Sequence, residues 1–307
     1  MNSSKPDHIF IVGVEKGGTT ALAGWLVKNG FATYALPGMK EPNHYSNLAP
    51  APPLPVGNLP TLDASVGYFT NRLAMSRLPT RRTRIVVCMR NPFERTWSSY
   101  KMKKLVVQQG EGAEHIRSRV HSAAGTNFTE PETTTYQRWK EQNRKHFPHE
   151  SEFFCDKYFD AEAERIMAGS FLQRTDYETA FLTVRHKFPL LSILWCSYYY
   201  RGLRMVLEKY PPEDVTVLTM NQLHDAEKRK ALIGRLTGTP QDSSELDFVF
   251  TSRDLSFDEP EPDFSTSQFD GLRKLFKYDL EQVVALLDAH GVHTDLLDMQ
   301  ELQRHIA

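Results

Sequence analysis

Three apolar tracts organise the chain. "IFIVGV" at 9–14 and "RIVVCMR" at 84–90 are β-branched and apolar on consecutive positions, without a polar face, which predicts strands covered on both sides. "VTVLTM" at 215–220 repeats the pattern and predicts a third buried strand. Between and after them apolar residues recur at helical spacing. The predicted helices are "TTALAGWLVKNG", closed by Gly30, and "PFERTWSSYKMKKLV", opened by Asn91 and Pro92. Further helical patterns lie around 158–170, 171–186 and 194–209. Two more follow: "NQLHDAEKRKALIGRLTG", capped by Asn221 and stopped near Gly238, and the amphipathic "GLRKLFKYDLEQVVALLDAHG". "TYAL" and "DASVGYF" are shorter strand candidates. Strands alternating with helices predict an α/β fold, a central and mostly parallel sheet flanked by helices, with a helical elaboration in the second half.

Three stretches break this alternation. Residues 31–60 are rich in Pro and Gly, including "APAPPLPVGNLP", and predict a surface loop. Residues 108–150 are polar and weakly patterned around "AAGTNFTEPETTT", which predicts a mobile or substrate-covering insertion. Residues 241–268 are acidic and predict an irregular loop. No internal repeat is present. With 307 residues, 40% of them hydrophobic, the chain reads as one domain over 1–307 with a substantial core.

Charge and cysteine content narrow the partners. There are 37 Lys+Arg against 38 Asp+Glu, a net charge of -1, so bulk electrostatics give no reason to expect nucleic acid or an anionic membrane. Any anion site must be local. Cys88, Cys155 and Cys196 lack C-x-x-C spacing and suit free thiols in a reducing compartment. The apolar run from Ile9 leads straight into glycines and does not read as a leader. The longest uncharged apolar tract, "FPLLSILWCSYYY", falls short of the ~20 residues that span a bilayer. A cytoplasmic protein without a membrane span is expected.

The chemistry begins where the first strand meets the first helix. Gly13 to Gly18 keeps the six-residue frame of a phosphate-binding P-loop, but Thr19 stands where an NTPase carries lysine, and the lysine is Lys16 within the loop. Backbone at Gly17 and Gly18, the helix N-terminus and the hydroxyls of Thr19 and Thr20 can still hold an anion, with Lys16 adding a full charge. A glycine-rich turn without ligand would look the same, so the loop needs a partner motif. One stands at the end of the next strong strand. In "RIVVCMRNPFERTWSSY", Arg90 can fork onto a phosphate and Ser98, two turns into the helix, can take another oxygen.

Together the two motifs resemble those of sulfotransferases that use 3′-phosphoadenosine 5′-phosphosulfate (PAPS). "VGVEKGGTTAL" is similar to the family's 5′-phosphosulfate loop and "RNPFERTWSSY" to its 3′-phosphate motif. The resemblance is closest to the carbohydrate, heparan sulfate-type branch. "GMKEPNHYS" resembles that branch's segment with the catalytic Glu, "DASVGYF" its acceptor-side strand, and "YYYRGLRMVLEKYPPEDVTVLTMNQL" its tyrosine-bearing helix and following strand. The matches run from about residue 8 to 236. Three departures stand out: Ala64 occupies a position where the branch often has lysine; no basic glycine-containing loop closes the C-terminal side, Arg253 being the nearest candidate; and the branch's cysteine pair is absent.

The resemblance implies a three-layer P-loop-type fold and roles for named residues. Glu41 would be the general base, with His44 as second choice. Lys16 would stabilise the leaving phosphate oxygen, and Gly17, Gly18, Thr19 and Thr20 would hold the 5′-phosphate. Arg90 and Ser98 would hold the 3′-phosphate, with Tyr199 nearby. PAPS would be the co-substrate and no metal is expected, since the Walker-type Lys-Ser/Thr pair is missing. His146, His149 and Cys155 in "KHFPHESEFFC" have irregular spacing and no fourth ligand. The implied acceptor is a hydroxyl on a sugar, glycoconjugate or natural product. Two alternatives stay open: a P-loop nucleotide kinase or NTPase, and a non-catalytic nucleotide-binding relic.

Overall fold

The computed structural model describes residues 5–46, 52–108, 164–166, 168–185, 192–246 and 257–306. Its centre is a five-stranded sheet of β1 (His8–Gly13), β2 (Thr33–Tyr34), β3 (Thr61–Asp63), β4 (Thr83–Met89) and β5 (Val215–Thr219). The strand order is β2-β3-β1-β4-β5 and every pairing is parallel. β1 therefore lies between β3 and β4, His8 opposite both Thr61 and Thr83.

The unbroken apolar runs of β1 and β4 serve two cores at once, because successive side chains leave a strand on opposite faces. Ile9 and Ile11, with Val86 and Cys88, pack against Leu22 and Leu26 of α1 (Thr19–Lys28) and against Leu232 and Leu236 of a later helix. Phe10 and Val12, with Ile85 and Val87, face the other way. There they meet side chains of α3 (Pro92–Gln108), α4 (Phe171–Arg185), α5 (Tyr199–Leu207) and α7 (Asp270–His290). The short α2 (Arg72–Arg77) also packs on this second core through Ala74 and Met75. This is the expected three-layer α/β arrangement.

Several boundaries differ from the sequence expectation. "DASVGYF" is strand only to Asp63; the Asp63 carboxylate takes the Ser65 N–H at 3.0 Å and folds the chain into a 3-10 turn over Val66–Thr70. The helix expected from Asn221 begins five residues later, as α6 (Ala226–Thr237), because Asp225 and not Asn221 caps it. Asp225 Oδ1 accepts from Glu227 and Lys228 N–H, whereas Asn221 donates to Asp298. The 194–209 pattern divides into a 3-10 turn, Trp195–Ser197, and α5, the break falling on extended Tyr198. Asp279 of α7 caps α5 from outside, its Oδ2 taking the Tyr199 N–H at 2.6 Å. A final short helix, α8 (Met299–Gln303), ends the described chain.

In the stretch expected as an irregular acidic loop, residues 241–246 and 257–266 hold no helix or strand, 267–268 open a 3-10 turn, and 247–256 lie outside the described residues; the insertion expected at 108–150 also lies outside them apart from the end of α3. Of the 158–170 pattern, the described residues 164–166 and 168 are helical. Among the described residues no helix is long and apolar enough to cross a membrane.

Candidate functional site

The carboxyl ends of β1, β3 and β4 gather the predicted residues, at the edge where the chain crosses from one side of β1 to the other and where open parallel sheets form crevices. The loop after β1 is built against β4. Val14 N–H donates to Cys88 O at 3.0 Å, and Gly17 N–H donates back to Val14 O at 2.9 Å. A Cβ on Gly17 would lie 2.3 Å from Cys88 O, and one on Gly18, at φ 95°, would lie 2.3 Å from Met220 Cγ. Both glycines are thus demanded by the protein's own packing, and the Gly17 N–H is spent inside the loop. Lys16 takes a left-handed φ of 67°.

What faces outward is the start of α1. Its N-cap is Gly18, with no side-chain cap, and Leu22, donating to Gly18 O at 3.1 Å, is the first N–H with a helical acceptor. The N–H groups of Thr19, Thr20 and Ala21 precede that bond, as the opening donors of any helix do. An uncapped helix start between a buried threonine, Thr19, and an exposed one, Thr20, is arranged to receive an anion. Cys88 behind the loop is a packing thiol, its pKa pushed up to about 12 by burial.

Arg90 and Ser98 stand beside this loop on the next strand and helix. Asn91 caps α3, its Oδ1 accepting Phe93 N–H at 3.0 Å and Glu94 N–H at 3.2 Å, while its Nδ2 donates to carbonyls at the end of α8. The Arg90 guanidinium pairs with Glu94 at 3.1 Å, and the other Glu94 oxygen pairs with Arg304. Ser98, one turn beyond Glu94, is 2% exposed. Tyr199 is buried and donates its hydroxyl to Arg90 O at 2.5 Å, so it supports the strand end through the backbone. Arg253 lies outside the described residues, as do His146, His149 and Cys155.

Glu15, which the sequence reading passed over, joins the loop after β1 to α3. Its carboxylate accepts from Ser99 Oγ at 2.7 Å and from Lys103 Nζ at 3.0 Å, and Arg95 Nη1 reaches its carbonyl at 3.3 Å. Arg95 is wholly buried. The signal was present: Arg95, Ser99 and Lys103 follow at four-residue intervals, one face of a helix, opposite a lone acid in a glycine loop.

The loop carrying Glu41 follows β2 and is held against the end of β3. Glu41 Oε1 accepts from Lys40 Nζ at 2.6 Å, and the same ammonium donates to Thr19 Oγ1 at 3.2 Å. The sequence reading singled out Glu41 but not Lys40, the side chain that brings it to the phosphate loop. Behind them Asp63 is a hub. It accepts the Tyr68 hydroxyl at 2.7 Å and the Ser65 hydroxyl at 2.5 Å; these two hydroxyls in turn accept the N–H of Tyr45 at 3.1 Å and of Asn43 at 2.8 Å. Ala64 N–H adds a bond to Lys40 O at 3.0 Å. Burial raises the Asp63 pKa to about 6, against the opposing pull of those hydrogen bonds. His44 is directed elsewhere: its Nε2 lies 2.6 Å from Pro52 O and its ring stands edge-on to Tyr45.

The arrangement therefore offers an anion cradle, a forked cation 3.1 Å from its neighbouring acid, and a half-exposed carboxylate bridged to the cradle by an ammonium. Among the described residues no group of three or more His, Cys, Asp and Glu is placed to hold a metal ion. No protein-family model matches the sequence, and no curated protein matches it. The fold does have a counterpart among solved structures. A sulfotransferase from Alicyclobacillus acidocaldarius superposes with a TM-score of 0.52 at 17% identity, over 93% of this chain and 96% of that one. The chain shares the fold of that sulfotransferase along nearly its whole length.

Proposed function

We propose that the protein is a PAPS-dependent sulfotransferase acting on a hydroxyl. The observation that carries this reading is the contact of Lys40 with both Thr19 and Glu41, which sets an acid/base group directly beside an uncapped phosphate loop. A kinase needs its loop lysine and a metal; here Lys16 lies inside the loop and Thr19 follows it. In the proposed reaction the 5′-phosphosulfate occupies the start of α1, with Thr19, Thr20, Gly18 and Lys16 around it. Arg90 and Ser98 take the 3′-phosphate. Glu41 removes the acceptor's proton as the hydroxyl oxygen attacks sulfur in line, and Lys16 stabilises the charge on the departing phosphate oxygen. His44, engaged with Pro52, ranks below Glu41 as base.

The acceptor we favour is a sugar, glycoconjugate or natural-product hydroxyl, on the resemblance of "GMKEPNHYS" and "DASVGYF" to the carbohydrate branch. A cytoplasmic setting and a single domain complete the reading. Calorimetry with and without Mg²⁺ tests the donor: adenosine 3′,5′-bisphosphate should bind without metal and more tightly than ATP, and the reverse order sinks the proposal. Glu41→Gln tests the base. Transfer of labelled sulfate from PAPS should drop by about 10²- to 10⁴-fold while bisphosphate affinity persists. Binding without any transfer in the unaltered chain, over a broad hydroxyl screen, would instead favour the non-catalytic relic.

A further inference from the structure

Lys40 is placed to do more than neutralise Glu41. Its ammonium donates to Glu41 Oε1 at 2.6 Å and to Thr19 Oγ1 at 3.2 Å, so it touches the base loop and the donor loop together. Its side chain is 19% exposed, against 38% for Glu41. The backbone holds it there: Lys40 O accepts the N–H of Ala64, next to the Asp63 hub that also fixes Asn43 and Tyr45 through Ser65 and Tyr68. An ammonium has three donors, and two are used among the described residues. The third remains for an oxygen that arrives with a ligand. An adjacent Lys-Glu pair at a surface contributes little to stability, so the fold itself has small need of this one.

In-line transfer puts sulfur between the donor's phosphate oxygen and the acceptor's oxygen. The acceptor O–S bond forms as the S–O bond to the 5′-phosphate breaks, the bonding pair leaves on that phosphate oxygen, and the acceptor's proton passes to Glu41. A cation that contacts both the 5′-phosphate threonine and the base lies beside this path. We infer that Lys40 is a second catalytic cation of the transfer site, holding a sulfuryl oxygen during transfer while it aims the Glu41 carboxylate at the acceptor. This rests on the sulfotransferase reading and assigns to Lys40 a role separate from that of Lys16.

The test compares Lys40→Met and Lys40→Arg with the unaltered chain, in bisphosphate calorimetry and in single-turnover transfer from labelled PAPS at saturating donor. The Met variant should bind bisphosphate within about threefold of the unaltered chain yet transfer about 100-fold more slowly, since charge stabilisation in the transition state is what it lacks. The Arg variant should recover about tenfold of the lost rate by restoring the charge. The assignment to Lys40 is overturned if the Met variant transfers within about threefold of the unaltered chain, or if its loss in rate is matched by an equal loss in bisphosphate affinity. Failure of the unaltered chain to bind bisphosphate or transfer sulfate overturns the sulfotransferase reading and this role together, a result distinct from failure of the variant comparison alone.

Discussion

The two sides of the crevice are built by different means. The proposed donor side is backbone against backbone: the loop after β1 hydrogen-bonds to Cys88 O, its glycines are fitted against Cys88 O and Met220, and Glu15 ties it to α3 through Ser99 and Lys103. The proposed acceptor side is side chain against backbone, an irregular loop held on β3 through two hydroxyls that share one buried carboxylate, Asp63. A nucleotide has a fixed shape, and a rigid backbone cradle suits it. Acceptors vary, and a loop held by a few polar side chains can change its lining without disturbing the sheet. The contrast predicts that substitutions on the donor side unfold or unseat the loop, whereas those on the acceptor side loosen it.

Gly17→Ala should have the largest effect. The added methyl would meet the Cys88 carbonyl at 2.3 Å, a backbone atom of β4 that cannot swing aside. A loss of about 3 kcal/mol or more is expected, together with loss of bisphosphate binding. Denaturant titration and calorimetry measure the two. A stable variant that still binds nucleotide would show the donor loop to be as adaptable as the acceptor loop.

The second effect concerns pH. Beneath Arg90, Asp279 caps α5 at Tyr199, and burial lifts its pKa from 3.8 to about 6 against the pull of the Tyr199 and Tyr200 N–H groups. A folded pKa above the unfolded one means that this group's stabilising contribution is fully present below about pH 4 and is lost as pH rises through about 6. The difference corresponds to on the order of 3 kcal/mol. Asp279→Asn keeps an oxygen to accept the Tyr199 N–H and does not ionise. It should match the unaltered protein near pH 4 and become more stable than it by up to about 3 kcal/mol above pH 7, read from denaturant midpoints across that range. Equal stability at both ends would place the carboxylate's ordinary ionisation inside the core.

The contrast also explains how far the sequence could be read. β1, β4 and β5 were legible because two-sided burial leaves a strand with a run of apolar and β-branched residues and no polar face, and Gly13–Gly18 and Arg90 could be singled out as candidates because the spacing of a phosphate loop and a strand-end arginine is local in sequence. Lys40 and Glu15 were not singled out, since their importance comes from partners 21 and 84 residues away, Thr19 and Ser99; Asp63 was not, since the Ser65 and Tyr68 hydroxyls it holds matter only through Asn43 and Tyr45, which the fold brings back to them. The start of α6 was misplaced for a similar reason. Asn221 and Asp225 are both good caps in sequence, and Asn221 is drawn to Asp298 only in the folded chain.

The smallest effect, Tyr68→Phe, asks whether the acceptor loop hangs on its hydroxyls. The Tyr68 hydroxyl donates to Asp63 Oδ2 at 2.7 Å and accepts Tyr45 N–H at 3.1 Å, all within a wholly buried setting, and the ring itself packs edge-on against Phe10 and Tyr45. Removing one oxygen leaves the ring packing but strands two polar groups, which costs about 2 kcal/mol. Because Tyr45 lies four residues after Glu41, the loop carrying this proposed base should loosen before the sheet does. Amide exchange at Tyr45 and Asn43 should therefore accelerate while exchange in β1 and β4 is unchanged. Bisphosphate affinity, which the proposed function assigns to the other side of the crevice, should stay within about twofold, a difference of roughly 0.4 kcal/mol. Equal acceleration in β1 would mean that the two sides are one cooperative unit, and the distinction between a backbone-built donor side and a side-chain-built acceptor side would fail.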